Sequence, residues 1–155
     1  MIARFLFPRD RYRSLTLPVQ LAAAGFFFHP LAENPDQVAC FLCHKALDGW
    51  EAGDSPVQEH LAHAPECGWA RLAAVESNVL GLGSMDPMCV DMLEARKMTF
   101  AGRWPHETKR GWKCKAKALV EAGWHYAPTA ESADMAMCAY CGLGLDGWEA
   151  GDKPL

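Results

Sequence analysis

The chain has 155 residues, seven cysteines and a formal net charge of −4, which is length for one ordinary domain or two small ones. An odd thiol count behind a short apolar opening (Met1 to Pro8, met at once by Arg9, Asp10 and Arg11) argues against a secreted disulfide scaffold and for thiolate–metal bonding in a reducing compartment. No apolar stretch is long enough to cross a bilayer, and a mildly acidic chain with scattered Lys and Arg gives no basic stripe, so neither membrane nor direct nucleic-acid binding is expected.

Phe5, Phe7 and Pro8 are expected to pack on a core, with a solvated basic run after them. Pro18 suits the first turn of a helix, where its missing N–H is no loss, and Gly25 can supply a left-handed stop. Residues 26–29 read as a strand, 37–40 as a second and 46–50 as a third. Ser55-Pro56-Val57-Gln58 is a helix start, with a hydroxyl cap, a first-turn proline and a Gln three residues after the cap. That helix carries His60 and His63, Pro65 ends it, and residues 69–79 are helical in period with Trp69, Leu72 and Val75 on one side. Gly81, Gly83, Ser84 and Pro87 mark a linker, and Asp86-Pro87 starts a further helix to about Lys97. Met85, Met88, Met92 and Met98 are expected as core filler. His44 is expected in solvent, Cys89 and Cys114 as packed or free thiols, and Trp50 and Trp148 as both core and pocket wall.

Cys40, Cys43, His60 and Cys67 spell C-x2-C-x16-H-x6-C. Two cysteines on a tight knuckle, with a histidine and a cysteine arriving from a helical segment, suit one tetrahedral Zn²⁺. A C-x-x-C alone would equally suit a redox pair. Four protein ligands leave no open position for water or substrate, and no nucleophile–base arrangement stands elsewhere, so no enzyme is expected.

The heptapeptide from Asp48 to Asp54 recurs letter for letter from Asp146 to Asp152, an offset of 98 residues. The same offset carries Cys40 and Cys43 onto Cys138 and Cys141, and Ala24-Gly25 onto Ala122-Gly123. The chain is therefore read as an α+β protein of two copies of one module, over 1–80 and 88–155, joined by a linker at 81–87. The equivalents of His60 and Cys67 fall past Leu155, so the second metal site, Cys138 and Cys141, is incomplete. The chain is expected to be a fragment of a longer protein, with its second module loosened at the C-terminal edge. Cys114, His106 and His125 lie on the wrong side of the second knuckle to replace the missing pair.

These residues resemble the BIR (baculovirus inhibitor-of-apoptosis repeat) family. The matching run is Ala24-Gly25-Phe26, Cys40-x-x-Cys43, Leu47-x-Gly49-Trp50, Asp54-x-Pro56, Glu59-His60 and Cys67, with Thr99-Phe100, Trp104-Pro105, Ala122-Gly123-Trp124 and Cys138-x-x-Cys141 in the second copy. Phe5-Leu6-Phe7-Pro8 is a degenerate version of the Thr-Phe and Trp-Pro opening. The resemblance implies, for each module, a three-stranded antiparallel sheet surrounded by short helices and centred on zinc. The first copy is most similar to the survivin branch, including its fungal two-BIR members. That likeness implies a non-enzymatic subunit of the chromosomal passenger complex, at chromosomes, centromeres and spindle in mitosis, in the nucleus and also the cytoplasm. Its partners there are the other complex subunits and the phosphorylated amino-terminal tail of a histone.

Such reading needs two subsites. Asp48 and Asp54, walled by Leu47 and Trp50, would take the free α-ammonium; the branch has a Glu at the Asp48 position, so the reach here is one methylene shorter. Lys45 and His63 would take the phosphate, which demands cationic donors. In the second copy Asp146, Trp148 and Asp152 are kept but Lys45 becomes Leu143, so only the first module is expected to read a phosphorylated tail. The alternative is an inhibitor-of-apoptosis module holding caspases or Ala-initiated peptides in the same acidic slot, a role that does not need the cationic pair.

Overall fold

The computed structural model describes residues 16–154; the expected packing of Phe5, Phe7 and Pro8 lies outside them. Helix α1 (Thr16–Ala23) starts around Pro18 and is stopped by Gly25. Gly25 has φ of 88°, and a Cβ there would run into the indole of Trp69 from α3. Both effects oppose a side chain, so Gly25→Ala is expected to cost about 2 kcal/mol, read as a lowered urea midpoint at unchanged slope.

From Gly25 the chain enters β1 (Phe26–Phe28), which pairs antiparallel with β2 (Val38–Cys40), and β2 pairs with β3 (Ala46–Leu47). Phe28 faces Val38, and Val38 faces Leu47. The second copy repeats this register in β4 (His125–Tyr126), β5 (Ala136–Met137) and β6 (Gly144–Leu145), with Tyr126 opposite Ala136 and Ala136 opposite Leu145. The architecture is α+β with two small three-stranded sheets, as the sequence predicts. The third strand is shorter than expected. It stops at Leu47 because the Trp50 N–H goes to the Asp36 carboxylate at 3.0 Å instead of to a neighbouring strand. The Trp148 N–H goes to Asp134 in the same way, also at 3.0 Å.

Helix α2 (Pro56–His63) opens as expected, with the Gln58 N–H donating to Ser55 Oγ. Helix α3 (Gly68–Glu76) buries Leu72 and Val75 and ends short of the expected Val79. A 3-10 turn over Val79–Ser84 follows. Helix α4 (Val90–Phe100) begins later than Asp86-Pro87, because Asp86 closes a turn of its own by accepting the Met88 N–H at 2.9 Å. It runs past Lys97 to Phe100, since Met92, Ala95, Arg96, Thr99 and Phe100 make a buried stripe at helical spacing. Met88, in the turn, is exposed and is not core filler, whereas Met92 is fully buried. Helix α5 (Ala116–Glu121) precedes β4.

Each module has its own core, one around Leu21, Phe26, Val38 and Trp50, the other around Phe100, Trp104, Leu119, Tyr126 and Trp148. A third cluster joins them: Leu72 and Val75 of α3 pack on Met92 and Ala95 of α4, and Ala139 of the second knuckle closes it. Among the described residues no helix is long and apolar enough to cross a membrane.

Candidate metal centre and the notch beside it

The four donors of the first motif converge. Cys40, Cys43, His60 and Cys67 place one ligand atom each within 4.8 Å of one another. β2 delivers Cys40, the tight turn after it delivers Cys43, α2 presents His60, and Cys67 caps the start of α3. Cys40 Sγ lies 3.9 Å from Cys67 Sγ, and Cys43 Sγ lies 3.4 Å from His60 Nε2. Tetrahedral Zn²⁺ with ordinary bond lengths has edges of about 3.8 Å between sulfurs and about 3.6 Å between sulfur and nitrogen.

The surroundings fit the same ion. His60 Nδ1 stands 2.8 Å from the Ala24 carbonyl, which only accepts, so Nδ1 carries the proton and the Nε2 lone pair faces the sulfurs. The Phe26 ring lies 4.5 Å from the imidazole, and His60 is wholly buried. The amides of Leu42 and Cys43 donate to Cys40 Sγ at 3.3 and 3.5 Å, offsetting negative charge on that sulfur. Three thiolates this close repel one another unless a cation lies between them. The bond from Cys67, with the amide donors, draws the Cys40 thiol down to about 3, while the same pairing pushes Cys67 up and burial pushes Cys43 up. A buried set of three soft sulfurs and one oriented imidazole is a zinc donor set.

The second knuckle is built like the first. Cys40 N–H donates to Lys45 O and His44 N–H to Cys40 O, at 2.9 and 3.0 Å; Cys138 N–H donates to Leu143 O and Gly142 N–H to Cys138 O, both at 2.9 Å. His44 and its counterpart Gly142 share the left-handed conformation, with φ of 61° and 69°. His44 is exposed, as expected. The residues set aside as substitutes are engaged elsewhere. His106 pairs with Asp134 at 2.8 Å, the Cys114 thiol donates to the Glu149 carbonyl, and His125 is buried edge-on against Trp69. Among the described residues, the first four-donor cluster is the only group of three or more such side chains close enough to share an ion.

Beside the metal centre, the end of β3, the turn after it and α2 from Glu59 onward border a notch of about 190 Å³ lined by Leu47, Asp48, Gly49, Trp50, Glu51, Asp54, Glu59 and His63. Five of the six expected peptide-site residues therefore meet in one place, and Lys45, exposed just before β3, does not line it. The acids are partly committed. Asp48 accepts from Asn34 Nδ2 at 3.0 Å, and Asp54 accepts the Glu51 N–H at 2.7 Å; each leaves its other oxygen for a ligand. Asp152 holds the Glu149 N–H at the same 2.7 Å in the second copy. Glu51 and Glu59 were missed as lining acids. Glu59 lies one turn before His63 on α2, with its carboxylate 3.6 Å from the imidazole, and that spacing was the available signal.

A small mixed helix-and-sheet module, repeated in tandem with the same sheet register and built in its first copy around three cysteines and a histidine, defines a class of small folds centred on a zinc donor set. The chain belongs to the BIR family: the model described as Inhibitor of Apoptosis domain matches residues 2–71 and again 96–155. It is 32% identical over 148 residues to "Chromosomal passenger complex protein bir1" of Schizosaccharomyces pombe, covering 92% of this chain and 14% of that protein. It is 31% identical over 137 residues to human "Baculoviral IAP repeat-containing protein 3", covering 88% of this chain and 20% of that protein. A shorter match, 46% over 50 residues, is to the mouse "Baculoviral IAP repeat-containing protein 5", covering 32% of this chain and 36% of that protein. The chain thus spans only a small part of the relatives it matches.

Proposed function

We propose that Cys40, Cys43, His60 and Cys67 hold a structural zinc, and that the notch beside it reads the free N-terminus of a phosphorylated histone tail for a chromosomal passenger complex in mitosis. The observation that carries this reading is the convergence of Asp48, Glu51, Asp54 and Glu59 around Trp50, with His63 at the edge. Four carboxylates around an indole wall suit a small cationic ligand end, and an α-ammonium on a basic tail is one. The similarity to the bir1 protein over 92% of the chain favours the passenger role. On this reading the protein is an adaptor without catalysis, acting at chromosomes, centromeres and spindle and present in nucleus and cytoplasm. The division into modules at 1–80 and 88–155 belongs to the same proposal, as does the assignment of Cys138 and Cys141 to a second, partial metal site.

A phosphate on the tail would meet His63 and, by a side-chain movement across the rim, Lys45; it has to displace the contact between His63 and Glu59. The competing reading, an apoptotic module for Ala-initiated peptides or caspases, is favoured by the similarity to the human relative and uses the same acids. Titrating the zinc-loaded chain with fluorescent tail peptides separates the two. N-terminal acetylation is expected to weaken binding at least tenfold, by removing a charge-assisted contact. Lys45→Ala is expected to weaken the phosphorylated peptide about tenfold and leave the plain peptide within about twofold. Indifference to acetylation sinks both readings, and equal affinity for plain and phosphorylated tails sinks the first.

A further inference from the structure

The charge of this chain is unevenly placed along its length in a way that the net value hides. Residues 16–80 carry two Lys/Arg, Lys45 and Arg71, against eight Asp/Glu. Residues 96–117 carry eight Lys/Arg against one acid, Glu107. That single carboxylate is engaged, accepting the Ala116 N–H at 2.8 Å at the start of α5.

The eight cations are not equivalent. Arg96 is buried in the seam, with its Nε donating to Val120 O at 3.0 Å. Lys97 and Lys117 face Glu94 and Glu121 on their own helices. Lys115 turns inward and donates to the carbonyls of His106, Glu107 and Lys109 at 2.9, 2.6 and 2.6 Å, drawing the loop around one ammonium. The loop is also braced from outside, since the Lys113 N–H donates to Ala150 O at 3.1 Å. Arg103, Lys109, Arg110 and Lys113 remain exposed, and none is within ion-pair distance of a carboxylate among the described residues. Lys109 and Lys113 are at most about 14 Å apart along the chain, and a duplex offers a charge every 1.7 Å or so of its axis.

We infer that this loop, residues 103–113 of the second module, is a docking surface for the phosphate backbone of double-stranded DNA, contacted without reading bases. Trp112 shows why bases are not read. His106 stacks on its ring at 4.0 Å and 14°, and the Lys109 ammonium stands 4.3 Å from the centroid. Two groups that near to one ring occupy opposite faces, so no face is left to stack a base. The choice of DNA over other polyanions rests on the tail-reading proposal. Histones present their tails beside the DNA they wrap. The stretch 16–80, with eight acids against two cations, would be repelled from that DNA, and the basic loop on the packed neighbouring module offers the DNA a surface of opposite charge.

The test is anisotropy of a labelled duplex of mixed sequence, about 20 base pairs, titrated with the zinc-loaded chain between about 50 and 200 mM salt. Four phosphate contacts give a log–log salt slope of about −3.6. The variant carrying Lys109→Gln, Arg110→Gln and Lys113→Gln is expected to bind at least tenfold more weakly, with a slope shallower by about 3. Lys109→Arg with Lys113→Arg is expected to keep both affinity and slope, which a merely structural role of the side chains would not require. Absence of binding at the lowest salt, a flat slope, or full binding by the Gln variant overturns the inference. So does a poly-glutamate peptide that displaces the duplex at equal charge concentration, which would point to an acidic protein surface. Tail-peptide binding measured on the same samples keeps the two proposals apart: losing it with DNA binding intact removes only the histone reading, and the reverse result removes only this one.

Discussion

Removing the metal from this chain, with a strong chelator or through Cys67→Ala, is expected to unfold the first module outright. The reason is one of magnitude. A structural zinc contributes an apparent 10–16 kcal/mol or so of folding free energy near neutral pH, and a small domain has about 5–15 kcal/mol in total. The core packed around the site cannot compensate, because Cys40 and Cys67 are themselves members of it, beside Leu21, Phe26 and Trp50. The measurement is tryptophan fluorescence together with the far-UV signal of helices α2 and α3, followed against zinc released to a colorimetric indicator. Loss of structure and loss of zinc should coincide, with about one tightly held ion per chain. Affinity for the ion should also fall as pH is lowered, since Cys43 and Cys67, both pushed up, hold protons that the ion must displace. A chelated chain that keeps its native fluorescence would remove the metal from the centre of this fold.

Much of that centre was legible in the sequence, for a physical reason. Zinc ligands, left-handed turns and helix caps each demand particular side chains at fixed intervals, so Cys40, Gly25 and Ser55 announce their roles without any tertiary information. The repeat doubled the signal, since a letter-for-letter heptapeptide also fixes the register of β6 from that of β3. Less legible were features decided by partners distant in sequence. The third strand ends early because Asp36 and Asp134, thirteen or fourteen residues upstream, claim the amides after it. Asp54 looked wholly available to a ligand, yet one of its oxygens closes the turn at Glu51. Glu51 and Glu59 join the notch through the approach of β3 to α2, which composition does not reveal. Lys45, chosen from the resemblance, stands outside the lining. The basic loop was hidden by averaging, because within residues 88–155 nine Lys/Arg are offset by nine Asp/Glu, and only their placement along the chain separates them.

The same long-range dependence makes Gly68 the most exacting position outside the ligand set. It is the first residue of α3, directly after Cys67, and a Cβ there would stand 2.5 Å from the Ala95 carbonyl oxygen and 3.0 Å from Ala95 Cα in α4. At Gly25 the obstacle is a side chain, the Trp69 indole. At Gly68 it is the backbone of a buried helix, so the two helices have to part. Gly68→Ala gains about 0.4–1 kcal/mol from a stiffer unfolded chain and loses about 3 kcal/mol to overpacking, so the loss wins. Moving the start of α3 also moves Cys67, and zinc should therefore pass to a competing chelator faster in this variant than in the parent. Gly151→Ala supplies the comparison, because nothing lies within 4 Å of the position; its effect should stay within about 0.5 kcal/mol and leave zinc release unchanged. Equal costs at the two glycines would mean that α3 and α4 are not in close contact, and that the metal centre and the second module fold as strangers.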